Sequence, residues 1–335
     1  MSDVVVGRTA LRGRLGAEAQ PAAARVDPLR ALQLGLAAMW LLDGVLQFQP
    51  SMYTRAFTQM LSSSAPGNPA VIARPIIWDA SFVQHHLVPL NTVFATIQLL
   101  LGLGIALRPT VRPALAASVA WSLGVWWLGE GLGGMLSGTA SPVGGAPGAV
   151  ILYALLAVLL WPASRPGASP PFVAARAVGE RAAKALWLVL WLSLAYFALT
   201  PANRAPGALS GALTGVGDGE PGWLAGLGKG AASLVAGWGL AAAVILAVAF
   251  VLISAGVFLP RAGARVAVVL AIAVAALIWV IGQAFGMILA TGATDPNSGP
   301  LLILLALAYW PVAASPGPAR APSGQGTQEP AGAPE

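Results

Sequence analysis

Apolar residues fall along the chain in eight long runs, near 30–48, 87–107, 112–136, 147–162, 182–199, 232–259, 264–290 and 299–313. Polar stretches bearing Pro and Gly separate them. The runs approach or exceed the ~20 residues that a helix needs to cross the hydrocarbon core of a bilayer. Lipid offers backbone groups no water partner, so a helix, which bonds its own amides to its own carbonyls, is the expected form of each run. The pattern predicts an all-α polytopic membrane protein with eight transmembrane helices. Within the long segment after the first run, Tyr53, Phe57, Met60 and Leu61 share a helical face. A short helix lying at the membrane surface is expected there, with a counterpart over 208–213.

The pattern also occurs twice. Gly129-Glu130 is followed three residues later by Gly133, and Gly282-Gln283 by Gly286, at an offset of 153. Each stretch leads to a closing Trp-Pro, at Trp161-Pro162 and Trp310-Pro311, at an offset of 149. Trp40 matches Trp191, and Pro50 matches Pro201. Each unit then holds four helices, and an even number gives both units the same orientation, as parallel repeats. The expected division is a tail over 1–29, a first four-helix repeat over 30–162, a linker over 163–181, a second and degenerate repeat over 182–313, and a disordered tail over 314–335. The Gly129-x-x-x-Gly133 spacing, inside an apolar run, reads as close helix packing.

Charge fixes the expected orientation. Of 18 basic residues, only Arg55, Arg74, Arg204 and Lys229 fall in the segments on one side, and the rest fall on the other or in the tails. By the positive-inside rule both termini are cytoplasmic. The formal charge of +6 is thus a topology signal, and nucleic-acid binding is not expected. No apolar signal region precedes the first run, so the first helix is expected to serve as its own insertion signal. A charged fraction of 9% excludes a soluble domain. The absence of cysteine excludes disulfides, thiolate metal sites and iron–sulfur clusters. The Ala-, Gly- and Arg-rich, Lys-poor composition points to a bacterial inner membrane.

Ionisable groups inside membrane spans are costly, which makes each a candidate site. Asp43 lies in the first run, and Gln47 follows it by four residues on the same helical face. Glu130 ends the third run, and His85 and His86 open the second. All five are expected on the outer side of the first unit. The aligned positions in the second unit are Leu194 for Asp43, Ala198 for Gln47 and Gln283 for Glu130, so the first unit is expected to be the working half. Asp43, Gln47, His85, His86 and Glu130 form a candidate binding cluster. Its imidazoles and carboxylates (His85, His86, Asp43 and Glu130) are also a candidate set for a transition metal, and a buried carboxylate near His and Trp suits a quinone or a proton relay. Bis-His haem is not expected, because the only two histidines are neighbours.

Several features together resemble the DoxX/DoxD type of small bacterial membrane protein. They are Arg30 before the first helix, a first helix ending in Asp43-Gly44, a long outer loop, a basic turn at Arg108–Arg112, and a Gly-rich third helix. The resemblance implies a membrane component associated with redox enzymes and in some members linked to quinone; it assigns no catalytic residue. Two other functions fit the same residues: a permease for a small solute or metal, and a structural subunit of a larger complex. Whether the chain is an enzyme stays open at this point.

Overall fold

The computed structural model describes residues 27–163 and 170–312; among these there are helices and no strand. Most of the N-terminal tail, the centre of the 163–181 linker and the C-terminal tail lie outside the described residues. The first half runs α1 (Pro28–Leu46), α2 (Arg55–Ser63), α3 (Ala70–His85), α4 (Leu87–Ala106), α5 (Val111–Leu128) and α6 (Ala149–Leu159). The second runs α7 (Ala175–Val178), α8 (Glu180–Ala198), α9 (Pro201–Arg204), α10 (Ala208–Gly215), α11 (Gly222–Val235), α12 (Gly239–Gly256), α13 (Arg261–Leu277) and α14 (Ser298–Ala308). Local chemistry starts these helices in familiar ways. The Asp27 carboxylate accepts from the Leu29 amide at 3.2 Å, with Pro28 at the first helical position. Thr54 caps α2 through the Ala56 amide.

Five segments are long and apolar enough to cross a membrane: Pro28–Leu46, Leu87–Ala106, Glu180–Ala198, Gly239–Gly256 and Arg261–Gly282. The protein is therefore an integral membrane protein by the length and composition of its helices. By contrast α6 and α14 have 11 residues each. At 1.5 Å per residue that is about 16 Å, roughly half of a hydrocarbon core.

The third and seventh apolar runs are shorter as helices than the sequence suggests. Regular helix stops at Leu128 and, after a π turn, at Gly282. The chain then turns sharply, with positive φ at Leu132 and Gly133 (58° and 63°) and again at Phe285 and Gly286 (57° and 76°). A Cβ at Gly133 would run into the Pro147 carbonyl, and one at Gly286 into Pro296. Gly133 and Gly286, expected to pack two helices together, instead permit a left-handed turn under a proline. The long segments after α1 and α8 also differ from expectation. The expected short helices are present as α2 and α10, but each is followed by a second helix, α3 and α11. Arg74, Pro75 and Asp79 interrupt the apolar pattern over α3 and hide it from a hydropathy reading.

Packing is paired. α1 lies along α4 and α8 along α12; α5 packs on α6 and α13 on α14. The short helices α6 and α14 meet each other and join the halves, with eight residues of each buried. Around them sit buried Trp40, Tyr153, Trp187, Trp191 and Tyr309. The linker is partly core as well. Phe172 to Ala175 are buried, and the Ala174 amide donates to the Ala308 carbonyl at 2.9 Å. At this end Arg30 donates to the Ile105 carbonyl at 2.9 Å and to the Ala106 carbonyl, so a cation satisfies the last carbonyls of α4. The opposite end carries α2, α3, α10, α11 and the irregular segments 129–148 and 283–297.

Candidate ligand pocket

Two matched junctions build the site. In the first half the Trp126 indole donates to the Pro147 carbonyl at 2.8 Å, and Glu130 Oε1 accepts from the Val150 amide at 3.1 Å. In the second half Trp279 donates to the Pro296 carbonyl at 2.9 Å, and Gln283 Oε1 accepts from the Gly299 amide at 3.1 Å. Each Trp-x-x-x-Glu/Gln unit thus ties the end of a long helix to the second residue of the short helix that follows. The first amides of a helix have no internal partner; a residue 20 positions earlier serves α6, and one 16 positions earlier serves α14.

The two junctions differ at one atom. Gln283 Nε2 donates to the Ser298 hydroxyl at 2.8 Å, so both ends of the carboxamide are bonded. Glu130 has a carboxylate oxygen, Oε2, in that place, and it is buried without a hydrogen-bond partner. The residue matching Ser298 is Ala149, whose side chain offers nothing to bond, although its backbone amide lies near the Glu130 carboxyl. The second junction is a closed structural cap. The first is a cap with one acceptor left over.

That acceptor faces a cavity of about 480 Å³ lying among α1, α2, α4 and α5. Trp40, Phe57, Phe94 and Trp121 give it aromatic walls. Asp43, Asp79, Glu130 and Asp295 give it four carboxyl groups, and no Lys, Arg or His lines it among the described residues. Three acceptor oxygens on its walls are buried without partners: Asp43 Oδ1, Gln98 Oε1 and Glu130 Oε2. One buried donor, Trp121 Nε1, is likewise unbonded. A second cavity of about 510 Å³, lined by Ser137, Thr139, Ser141 and the glycines of the 129–148 segment, shares Ser63, Ser64, Glu130 and Asp295 with the first. The carboxylates of Glu130 and Asp295 therefore stand where the two spaces adjoin. Burial pushes the Asp79 carboxyl, which sits on α3 outside the spanning helices, above its usual range.

The structure brings together some of the sequence-derived candidates and not others. Asp43, Gln47 and Glu130 line the cavity. Asp43 is 3% exposed, deep in α1. Gln47 donates to Asn91 Oδ1 at 2.5 Å, and the Asn91 amide donates back to the Gln47 carbonyl at 2.9 Å, so its carboxamide binds α1 to α4. His85 and His86 do not line the cavity; both are exposed at the break between α3 and α4. The Ser81 carbonyl accepts from His85 Nδ1 at 2.7 Å, and the His86 ring leans on Phe82 with centroids 5.0 Å apart. The metal set of His85, His86, Asp43 and Glu130 is thus not assembled, and among the described residues no three His, Cys, Asp or Glu side chains lie close enough to hold one ion. The physical reason is that His85 closes α3 while His86 sits in the break, whereas Asp43 on α1 and Glu130 in the turn after α5 face the cavity.

Two contributors escaped the sequence reading. Asp295 comes from the half expected to be scaffold, and Thr294 accompanies it. Asp295 Oδ1 accepts from the Asn297 amide at 2.7 Å, and Oδ2 accepts from the Thr294 hydroxyl at 2.8 Å. The Thr-Asp-Pro-Asn run is a turn signal, which conceals a cavity residue. Tyr153, behind the cavity wall, is the other: it is fully buried against Trp40, with centroids 4.2 Å apart, and its hydroxyl stands beside the Asp43 carboxyl. No family model, curated protein or solved structure is similar enough to the chain to match it.

Proposed function

We propose that the chain is an integral membrane protein of two parallel four-helix halves that binds an apolar small molecule with a hydrogen-bond-donating head, in a pocket of the first half open to the outer side of a bacterial inner membrane. Support for the repeat comes from the common order of elements and from the paired Trp126–Pro147 and Trp279–Pro296 bonds. For eight crossings, α5, α6 and α14 join the five long helices. The irregular segments before α6 and α14 complete the short crossings, and non-helical backbone at membrane depth is tolerated where it lines a cavity. The charge asymmetry supports cytoplasmic termini.

The ligand class rests on one observation: three buried oxygen acceptors without partners face one largely apolar cavity that carries no basic side chain. An unpaired buried acceptor costs about 1–3 kcal/mol, which a donor on a ligand recovers. A volume of about 480 Å³ is in the range of small-molecule sites. A quinol has this form, a ring with two hydroxyl donors, and fits a DoxX-like, redox-linked membrane component. A purely structural subunit leaves the three acceptors without a purpose.

Thermal unfolding in detergent with a short-chain hydroquinone, beside its oxidised quinone, tests the reading. The hydroquinone donates and is expected to raise the melting temperature; the quinone only accepts and is expected to do less. Gly124 lines the cavity, and a Cβ there would meet nothing within 4 Å, so Gly124→Leu has room to start a side chain that takes up ligand space. It is expected to abolish the shift. If no donor-bearing amphiphile stabilises the wild type more than Gly124→Leu, the pocket is not a ligand site.

A further inference from the structure

The ligand's head carries a positive charge: from the carboxylates, the aromatic walls and the unpartnered buried acid, we infer that the pocket takes an organic ammonium ion with an apolar body. This rests on the reading of the cavity as a ligand site and narrows it.

Asp43, Asp79, Glu130 and Asp295 line one space with no cation opposite them. Burial and mutual proximity disfavour ionising them together, and a cationic occupant, attracted to each carboxylate, makes ionisation favourable. Asp43 carries the argument furthest. It is 3% exposed and lines the cavity, and its Oδ1 makes no hydrogen bond of normal geometry, with only the Tyr153 hydroxyl standing beside the carboxyl. A carboxylate so placed in a membrane helix is normally paired. Asp295 differs, because both its oxygens serve a local turn. Glu130 is intermediate, with one oxygen on the Val150 amide and one free.

The size of the cation follows from the spread of the acids. No three of the described carboxylate or imidazole groups approach closely enough to hold one ion, yet four carboxylates border one cavity of about 480 Å³. The occupant that matches is larger than a metal ion. Trp40, Phe57, Phe94 and Trp121 present π-systems to it, and an ammonium is attracted to such faces. The remaining surface is apolar and suits a hydrocarbon or aryl body.

Isothermal titration calorimetry of the full chain in nanodiscs, with 4-phenylbutylamine beside the isosteric 4-phenylbutanol, separates the charge from the shape. The amine is expected to bind at least tenfold more tightly. Asp43→Asn keeps the side-chain volume and an acceptor oxygen, and is expected to narrow the gap between amine and alcohol at least threefold, with Asp79, Glu130 and Asp295 still in place. Gly124→Leu is expected to remove both. If the wild type binds amine and alcohol equally, the cationic inference is overturned and the ligand site stands. A preference for the amine that is undiminished in Asp43→Asn also overturns it, since the charge is then recognised elsewhere. If neither compound binds, or Gly124→Leu changes nothing, the pocket reading itself fails. Circular dichroism of the two variants, with unchanged helicity expected, distinguishes lost binding from lost fold.

Discussion

Replacing Glu130 by alanine removes the acceptor that holds the second amide of α6. The Val150 amide, in a residue 8% exposed, is then left without a partner. An orphaned buried amide costs about 1–3 kcal/mol. Glu130→Gln keeps the acceptor and puts an NH₂ where Oε2 stands, so it is expected to cost less, within about 1 kcal/mol. The second half shows how to restore even that: there Ser298 accepts from the Gln283 carboxamide, and Ala149 is its counterpart. Glu130→Gln with Ala149→Ser should therefore equal or exceed the wild type in stability. Chemical unfolding in a mild detergent, followed by helical circular dichroism, orders the four proteins. The cap reading is refuted if Glu130→Ala is as stable as Glu130→Gln, or if adding Ala149→Ser to Glu130→Gln gains nothing.

Gly148→Ala places a Cβ at φ 113° against the Glu130 carboxylate and the Trp126 indole, and should lower stability by at least ~1–3 kcal/mol, read as a lost yield of monodisperse protein. Trp279→Phe leaves the Pro296 carbonyl without its donor and should cost about 1 kcal/mol by the same unfolding assay, with Trp126→Phe behaving alike at Pro147. Asp79 has a folded-state pKa raised by burial, so its contribution favours the fold in acid and is lost as pH rises through that value. Asp79→Asn should accordingly gain on the wild type as pH rises from about 4, the ordinary carboxyl value, through the raised folded-state value, and a flat difference in melting temperature above about pH 4 contradicts the burial assignment.

The helical class and the apolar runs were legible because membrane burial writes hydrophobicity over whole segments, and those segments do become α1, α4, α8, α12 and α13. Asp43 was legible for the converse reason, as an acid where acids are costly. The ends of α5 and α13 were not legible, since Leu132, Phe285 and their neighbours are as apolar in a turn as in a helix, and only the conformation of Gly133 and Gly286 distinguishes the two. The role of Glu130 was half legible. Its replacement by Gln283 signalled an interesting position, but that both side chains cap a helix many residues later depends on a fold-back that no periodicity encodes. His85 and His86 drew attention by residue type alone, and the break between α3 and α4 turns them outward. Asp295 was hidden because a turn residue by sequence became a cavity wall by tertiary contact.

The clasp between the halves has a consequence for the order of biosynthesis. Gln49 donates to the Ala293 carbonyl and accepts from the Gly292 amide, both at 3.2 Å, which holds the 292–295 turn over the mouth of the first half. A ribosome delivers α1 to α6 long before that turn exists. The nascent first half must wait in the membrane with Asp43 and Glu130 already placed and one wall of their cavity missing, until the last loop emerges and shuts it.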